Sequence, residues 1–296
     1  MDEALVEQVR RFNRTVTQRV GALDDRYLSR DRPLGEARML WEIGAQGCDV
    51  RALRGRLGLD SGHASRLLRA LEADGMVTVA PAEHDRRVRT VRLTRAGLAE
   101  RDMLERRSDE LAESFLRPLG AAQRGRLVGA MREVERLLTA AMIEIVAVDP
   151  EHADARQCLR AYFAELERRS GVEFDPSTGS TAEPHELRPP AGEMLVAYLR
   201  AEPVAFGAVK HGEATTDIKR MWVADDARGL GLGRRLLGEL EARAARAGSS
   251  VARLETNRAL TEAIALYRSA GYREVAAFND EPFAHHWFEK PLAAIP

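Results

Sequence analysis

What the chain has little of narrows it before any motif does. There are two cysteines, Cys48 and Cys158, in 296 residues, and neither has His or Cys neighbours at a spacing that suits a metal. That points away from a disulfide framework or a zinc module and predicts free thiols and no metal. No apolar run approaches the roughly 20 residues that a membrane span needs. The first residues, Met1-Asp2-Glu3, are acidic where a leader peptide would be basic. These features together predict a cytoplasmic protein without a membrane partner. Nor does a low-complexity linker separate one half from the other, although the length suits two domains of ordinary size.

A net charge of -1 conceals an asymmetry. Residues 1–145 carry 26 Arg plus Lys against 23 Asp plus Glu, a balance of +3, and the remainder carries 19 against 23, a balance of -4. The excess is local, with 10 basic and 5 acidic residues between positions 50 and 95. A basic stretch of this kind is a solvated face as often as a nucleic-acid footprint, so the motifs have to decide.

Just ahead of the basic stretch the pattern reads as a helix over 34–46 around Ala37, Leu40, Trp41 and Ile43, and the stretch itself opens with a short helix from Val50 to Leu57. A Gly-Leu turn follows. Asp60 or Ser61 then suits an N-cap for a second helix whose inner face is Ala64, Leu67, Leu68 and Leu71 and which stops near Gly75. This is helix-turn-helix spacing. The outer face offers Ser61, His63, Ser65, Arg66 and Arg69, types able to meet base edges and phosphates. Met76 to Ala80 and Val88 to Thr94 read as two strands of a hairpin around residues 81–85, which adds a wing. Long helical patterns flank the unit, over 3–28, 95–116 and 120–141.

In the second half, Arg228-Gly229-Leu230-Gly231-Leu232-Gly233 stands between a strand-like run, Ile218 to Val223, and a helical one, Arg234 to Ala247. Glycines there let backbone amides approach an anion closely, and the helix N-terminus adds partial positive charge, which suits a pyrophosphate. A nucleotide triphosphate loop would need Lys and then Ser or Thr after Gly233, where Arg234 and Arg235 stand instead. A dinucleotide fingerprint fails too, because its last glycine would fall on Arg234 or Leu236. Around the loop, Met194 to Leu199 and Val204 to His211 read as a hairpin turning at Ala201-Glu202-Pro203. Val251 to Glu255 reads as a strand, and Thr261 to Ala270 as a helix carrying Tyr267 ahead of Gly271-Tyr272.

The spacing Arg228-x-x-Gly231-x-Gly233, with that succession of elements, resembles the acetyl-CoA loop of the GNAT acetyltransferases over about the last half of the chain. Asp85-Arg86-Arg87, followed by Leu93-Thr94-x-x-Gly97, resembles the wing signature of MarR-family transcriptional regulators. The implied fold class is α+β in two domains. Residues 1–141 form a helix-rich, MarR-like winged helix-turn-helix domain for DNA binding and dimerisation, and residues 142–296 a mixed α/β GNAT N-acetyltransferase domain. Ile143 to Val148 is the expected first strand of the latter, followed by a helix from Glu151 to Arg169.

The GNAT resemblance implies acetyl-CoA as acetyl donor and an amine as acceptor. Backbone groups of Met221, Trp222 and Val223 would pair with the pantetheine arm, and the amides of Gly229, Leu230, Gly231, Leu232, Gly233 and Arg234, with the Arg228 side chain, would hold the pyrophosphate. Tyr267 would protonate the leaving thiolate; a core aromatic is the other reading, since Ile264 lies three residues away on the same face. Asp217, Glu213 and Glu255 stand open as candidates for the base, a water chain being the alternative. Many relatives place an Asn seven residues before the tyrosine, where this chain has Leu260; a short insertion would bring Asn257 to the same cofactor contact. The MarR resemblance gives Asp85 the task of orienting Arg87 in the minor groove, with a surface ion pair as the structural alternative. It also implies a homodimer on a palindromic operator in double-stranded DNA. The combined expectation is a bifunctional regulator and N-acetyltransferase acting on a primary amine, of a small molecule or a protein lysine. Two rivals stay open: a regulator whose second domain only senses acetyl-CoA or an amine, and a transferase whose first domain only dimerises. Ser170 to Glu193 is a long Pro, Ser and Gly-rich segment placed where an acceptor site is often built, with Glu173 and Asp175 as weak hints of a cationic acceptor.

Overall fold

The computed structural model describes residues 2–21, 28, 32–82, 88–171 and 182–293. The chain divides into two compact units, Met1–Met131 and Arg132–Pro296. The division therefore falls inside a helix rather than at position 141, where the sequence placed the end of the first domain.

In the first unit, α1 (Glu3–Arg19) starts on an Asp2 side-chain cap. It ends nine residues short of the expected position 28, at a turn where Gly21 takes φ +65°. The helix-turn-helix is α2 (Leu34–Ile43), α3 (Val50–Leu57) and α4 (Ser61–Ala73). Asp49 caps α3, Gly58 closes it in the left-handed region, and Asp60 caps α4 by accepting from the His63 amide at 2.9 Å. Met39, Leu40, Leu53 and Leu71 form the centre of the core. Trp41 corrects the sequence reading: it is 46% exposed, with the Arg38 guanidinium 5.0 Å above its ring, and Met39 fills the inner face instead.

The wing strands β2 (Val77–Pro81) and β3 (Arg89–Leu93) pair antiparallel, and a two-residue strand β1 (Cys48–Asp49) joins β3 on its other edge. Thr94 then caps α5 (Arg95–Leu116) through the Gly97 amide and donates its hydroxyl to the Gly75 carbonyl at 2.7 Å. Any side chain at Gly97 would put its Cβ 2.0 Å from the Met76 carbonyl, so only glycine lets helix and strand meet there. Helix α6 (Ala121–Ala141) follows.

The second unit is built on a seven-stranded sheet. Its strands are β4 (Glu144–Val148), β5 (Gly192–Leu199), β6 (Glu202–His211), β7 (Thr215–Val223), β8 (Val251–Thr256), β9 (Arg273–Val275) and β10 (His286–Pro291), in the order β4-β5-β6-β7-β8-β10-β9. Every pairing is antiparallel except β7 with β8. The β5–β6 hairpin turns at Arg200 and Ala201, with φ +52° and +67°, so Glu202 already belongs to the strand. Helix α7 (Ala153–Ser170) packs on one face; α8 (Leu232–Arg246) buries Leu232, Leu236, Leu237 and Leu240 in the main core with α9 (Thr261–Ser269), and its Ala244 is buried too. Each fully buried leucine there contributes ~1.5–3 kcal/mol. No described helix is long and apolar enough to cross a membrane.

Two features of β7 set up the site. The parallel ladder to β8 covers only Thr215–Asp217 against Val251–Arg253, and beyond it the two strands have no registered pairing. Against β6 the register slips: Phe206 faces Trp222 but Ala208 faces Lys219, which leaves one extra residue on β7. Arg220 sits in this bulge with φ +59°, a conformation a residue with a Cβ adopts at a cost of about 1–3 kcal/mol.

Candidate functional site

The diverging strands open a groove of about 1340 Å³, open solvent included, lined by Met221, Trp222 and Val223 on the β7 side and by Gly229, Gly231, Gly233 and Arg234 at the start of α8. Gly229 and Gly231 hold φ +79° and +76°, and nothing lies within 4 Å of where their side chains would be. The left-handed glycines turn the chain so that the first amides of α8, which has no side-chain cap, face the groove. That is an arrangement of donors and dipole that can hold an anion. Arg136, on the last turns of α6, donates to the Gly229 carbonyl at 3.3 Å and fixes the back of the loop.

The loop residues are not equivalent. Leu232 is buried in the core, so only its backbone can serve a ligand, and Leu230 packs partly against the same core. Arg234 reaches away to Ser269 Oγ at 2.5 Å. The Arg228 guanidinium is held at 2.6 Å by both oxygens of Glu165 and at 2.5 Å by Asp225. Glu165 is itself buried on α7 and accepts from Trp222 Nε1 at 2.9 Å. Glu165 was not identified from the sequence. It lies 63 positions before the arginine it orients, with no local signal to join them.

Tyr267 is at once a core residue and part of the groove wall. It belongs to the main core, 5% exposed with Tyr272 and Phe288 rings each 6.0 Å away, and it also lines the groove. Burial raises its pKa well above the ordinary phenol value, so its proton is retained at neutral pH. Asn257 departs from its expected place. Its Nδ2 donates to the Phe283 carbonyl at 2.8 Å, its Oδ1 accepts from the Ala259 amide at 2.9 Å, and it lines a second cavity instead of the groove.

That second cavity, about 580 Å³ including open solvent, is lined by Tyr162, Phe163, Phe283, Lys219, Arg220 and Glu255, among others. Of the three carboxylates considered as a base, Glu255 alone lines it, with Lys219 Nζ at 2.5 Å and Asn279 Nδ2 at 3.4 Å. Asp217 is engaged by Arg253 at 2.5 Å, and Glu213 is exposed. Tyr162 stands between cavity and groove, lining both, and burial pushes its pKa up to about 12.

In the first unit, α4 places Ser61, His63, Ser65, Arg66 and Arg69 together on its exposed face, while Ala64, Leu68 and Leu71 are buried beneath. Arg69 Nε bonds the Ser65 carbonyl at 3.2 Å, which holds its stem along the helix. Asp85 and Arg87, like Glu173 and Asp175, lie outside the described residues. Among the described residues no group of three His, Cys, Asp or Glu side chains gathers as a metal site. His286 opens β10 and its ring pairs with Glu274, and His285 directly precedes it.

Comparison with known proteins agrees with the geometry. The model of the GNAT acetyltransferase domain matches residues 190–274, and that of the MarR family matches residues 31–88. A protein named IAA acetyltransferase from Azospirillum brasilense is 34% identical over 137 residues, which cover 43% of this chain and 86% of that protein. Among solved structures, one described as an acyl-CoA N-acyltransferase from Klebsiella pneumoniae is 28% identical, with a TM-score of 0.42, over 52% of this chain and 99% of that one. A GNAT family acetyltransferase from Staphylococcus aureus is 15% identical, with a TM-score of 0.43, over 51% and 99%. A GNAT family acetyltransferase from Elizabethkingia anophelis, solved with acetyl-CoA bound, is 17% identical, with a TM-score of 0.38, over 51% and 99%. The chain belongs to the GNAT acetyltransferases and carries a MarR-family segment ahead of its transferase domain.

Proposed function

We propose that the protein is bifunctional: the second unit transfers acetyl from acetyl-CoA to a primary amine, and the first binds a palindromic DNA operator as a homodimer. The observation that carries the transferase half is the groove itself, where an open edge of β7, the glycine loop and Tyr267 converge. Amides from Gly229 to Arg234 suit a pyrophosphate, and the Met221–Val223 edge suits the amide groups of a pantetheine arm laid down like an added strand. The acceptor nitrogen forms its bond to the acetyl carbon as the bond to sulfur breaks. In this reading Tyr267, still protonated, gives its proton to the departing sulfur. Glu255, on the cavity wall, is the carboxylate best placed to receive the proton the amine loses.

DNA binding rests on the exposed polar row of α4. Dimerisation rests on α1, where Leu5, Val9, Phe12 and Val16 recur on one side at 64%, 58%, 43% and 39% exposure, and no residue of the helix is buried. A second copy of the same stripe would cover it.

Two assays on the full chain test the reading. Thiol release from acetyl-CoA with a panel of amines should show acceptor-dependent turnover; tight acetyl-CoA binding without any turnover would leave a sensor. Anisotropy with selected operator DNA should show salt-sensitive binding, and Arg66→Ala should weaken it about tenfold and flatten the salt slope by about one ion. Salt-insensitive or undetectable binding would leave the first unit as a dimerisation module.

A further inference from the structure

We propose that Arg220 anchors a carboxylate on the acceptor, so that the cavity beside the groove selects small amines of the α-amino acid class with an apolar or aromatic side chain. This deepens the transferase reading and rests on it for the reaction, though not for the binding.

Other partly buried cations of this unit are each held by a carboxylate. Lys219 has Glu255, Arg228 has Glu165, Arg253 has Asp217, Arg243 has Glu193 and Lys290 has Glu241. Arg220 has no carboxylate within ion-pair distance among the described residues, and Nη2 donates to the Ala182 carbonyl at 3.0 Å. A guanidinium carries five N–H donors in a planar fork, and among the described residues the Ala182 bond uses one of them. Burial pulls the pKa of Arg220 below the ordinary arginine value, against the opposing influence of nearby Tyr162, Glu183, Glu186 and Glu281. A withdrawn charge is costly unless an anion completes it.

The fold also puts Arg220 where it is at the cost of backbone strain. The β7 bulge and its φ of +59° aim this side chain into the cavity wall, next in sequence to Lys219. Strain held at a cavity wall fits a ligand contact better than filler. The remaining lining supplies the other parts of an amino acid. Tyr162, Phe163 and Phe283 give an apolar wall, and Glu255 and Glu281 give negative charge for an ammonium group before it loses its proton. A carboxylate held in bidentate fashion by Arg is among the strongest neutralising contacts a protein makes, and an analogue lacking it would leave the fork unpaired.

The test compares phenylalanine with 2-phenylethylamine, which differ by the carboxylate. For the wild type, kcat/KM for thiol release should favour phenylalanine by about a hundredfold or more. Arg220→Gln should bring that preference within about threefold, Arg220→Lys should fall between, and acetyl-CoA affinity, which checks folding, should hold in both. Binding is read separately by titrating N-acetylphenylalanine and N-acetyl-2-phenylethylamine into the protein without CoA. The carboxylate form should bind at least about tenfold tighter, with the difference lost in Arg220→Gln. Equal use or equal binding of the paired compounds by the wild type, or a preference unchanged in Arg220→Gln, would overturn the proposal and leave acetyl transfer standing. Carboxylate-dependent binding with no turnover of any amine would do the reverse.

Discussion

Helices α1 and α8 are of similar length, 17 and 15 residues, and both are amphipathic, yet α1 buries none of its residues and α8 buries five. The difference separates two ways of using an apolar face. The second unit closes its core from its own chain, with α8 laid on a sheet whose two faces are both covered. The first unit encloses a small core between α2, α3, α4 and the wing and leaves the stripe of α1 in water. An apolar stripe retained at that cost is suited to a partner, whereas a closed core is suited to holding a groove rigid.

The sharpest way to probe that contrast is to cut one leucine from the closed side. Leu236→Ala should lose about 2–5 kcal/mol of unfolding free energy in denaturant titration, since Leu236 is fully buried. A loss below about 1 kcal/mol would mean that the core under α8 relaxes freely and the two units differ less than their burial suggests.

Tyr267→Phe comes next, because this residue is core and groove at once. Thiol release should fall about a hundredfold, near 3 kcal/mol of barrier, with unfolding free energy within about 1 kcal/mol of wild type. Unchanged turnover would make Tyr267 a packing residue only.

On the open side, Phe12→Ala should alter the stability of the dilute monomer by less than about 0.5 kcal/mol while raising the dimer dissociation constant about tenfold in sedimentation. A melting point independent of protein concentration in both forms would remove the stripe as an interface.

The smallest effect concerns acid. Hydrogen bonds from Arg188 at 2.8 and 2.9 Å, then one from the Glu151 amide, hold the Asp149 carboxyl down at about 2 against an ordinary 3.8. Because the folded value is the lower one, its contribution is complete above about pH 3.8 and fades as pH falls toward 2. Asp149→Asn should flatten the acid limb of the unfolding curve in that window and leave pH 6 to 8 unchanged in slope; an unaltered limb would show that the pair does not contribute.

Much of the fold could be read because its signals are local. The cap at Asp60 and the 3.6-residue pattern of α3 to α6 give helix ends close to those observed. The glycine loop could be read for the same reason, since strand, turn and helix adjoin. Other features depend on residues far apart. The pairing of β1 with β3 joins Cys48 to Val91, and Glu165 meets Arg228 only after folding. Periodicity put Trp41 inside, but a ring that stacks under Arg38 is content on the surface. The bulge at Arg220 gave no warning, because a left-handed position usually announces itself by glycine. Asn257 was drawn to the cofactor by a count of positions, and its two backbone bonds settle it elsewhere.

The brief parallel ladder between β7 and β8 has one more consequence. Where a sheet is bonded across its full width, its resistance to unfolding belongs to the polypeptide alone. Here β7 leaves the ladder after Asp217, so a donor molecule laid along its edge would act as a strand of the sheet. Those amides of the Met221–Val223 stretch that face the groove should then exchange with solvent at rates set by how much acetyl-CoA is present, and at a hundred times its dissociation constant the fold should gain about 2.7 kcal/mol. The lifetime of this protein would become a readout of the cell's acetyl supply.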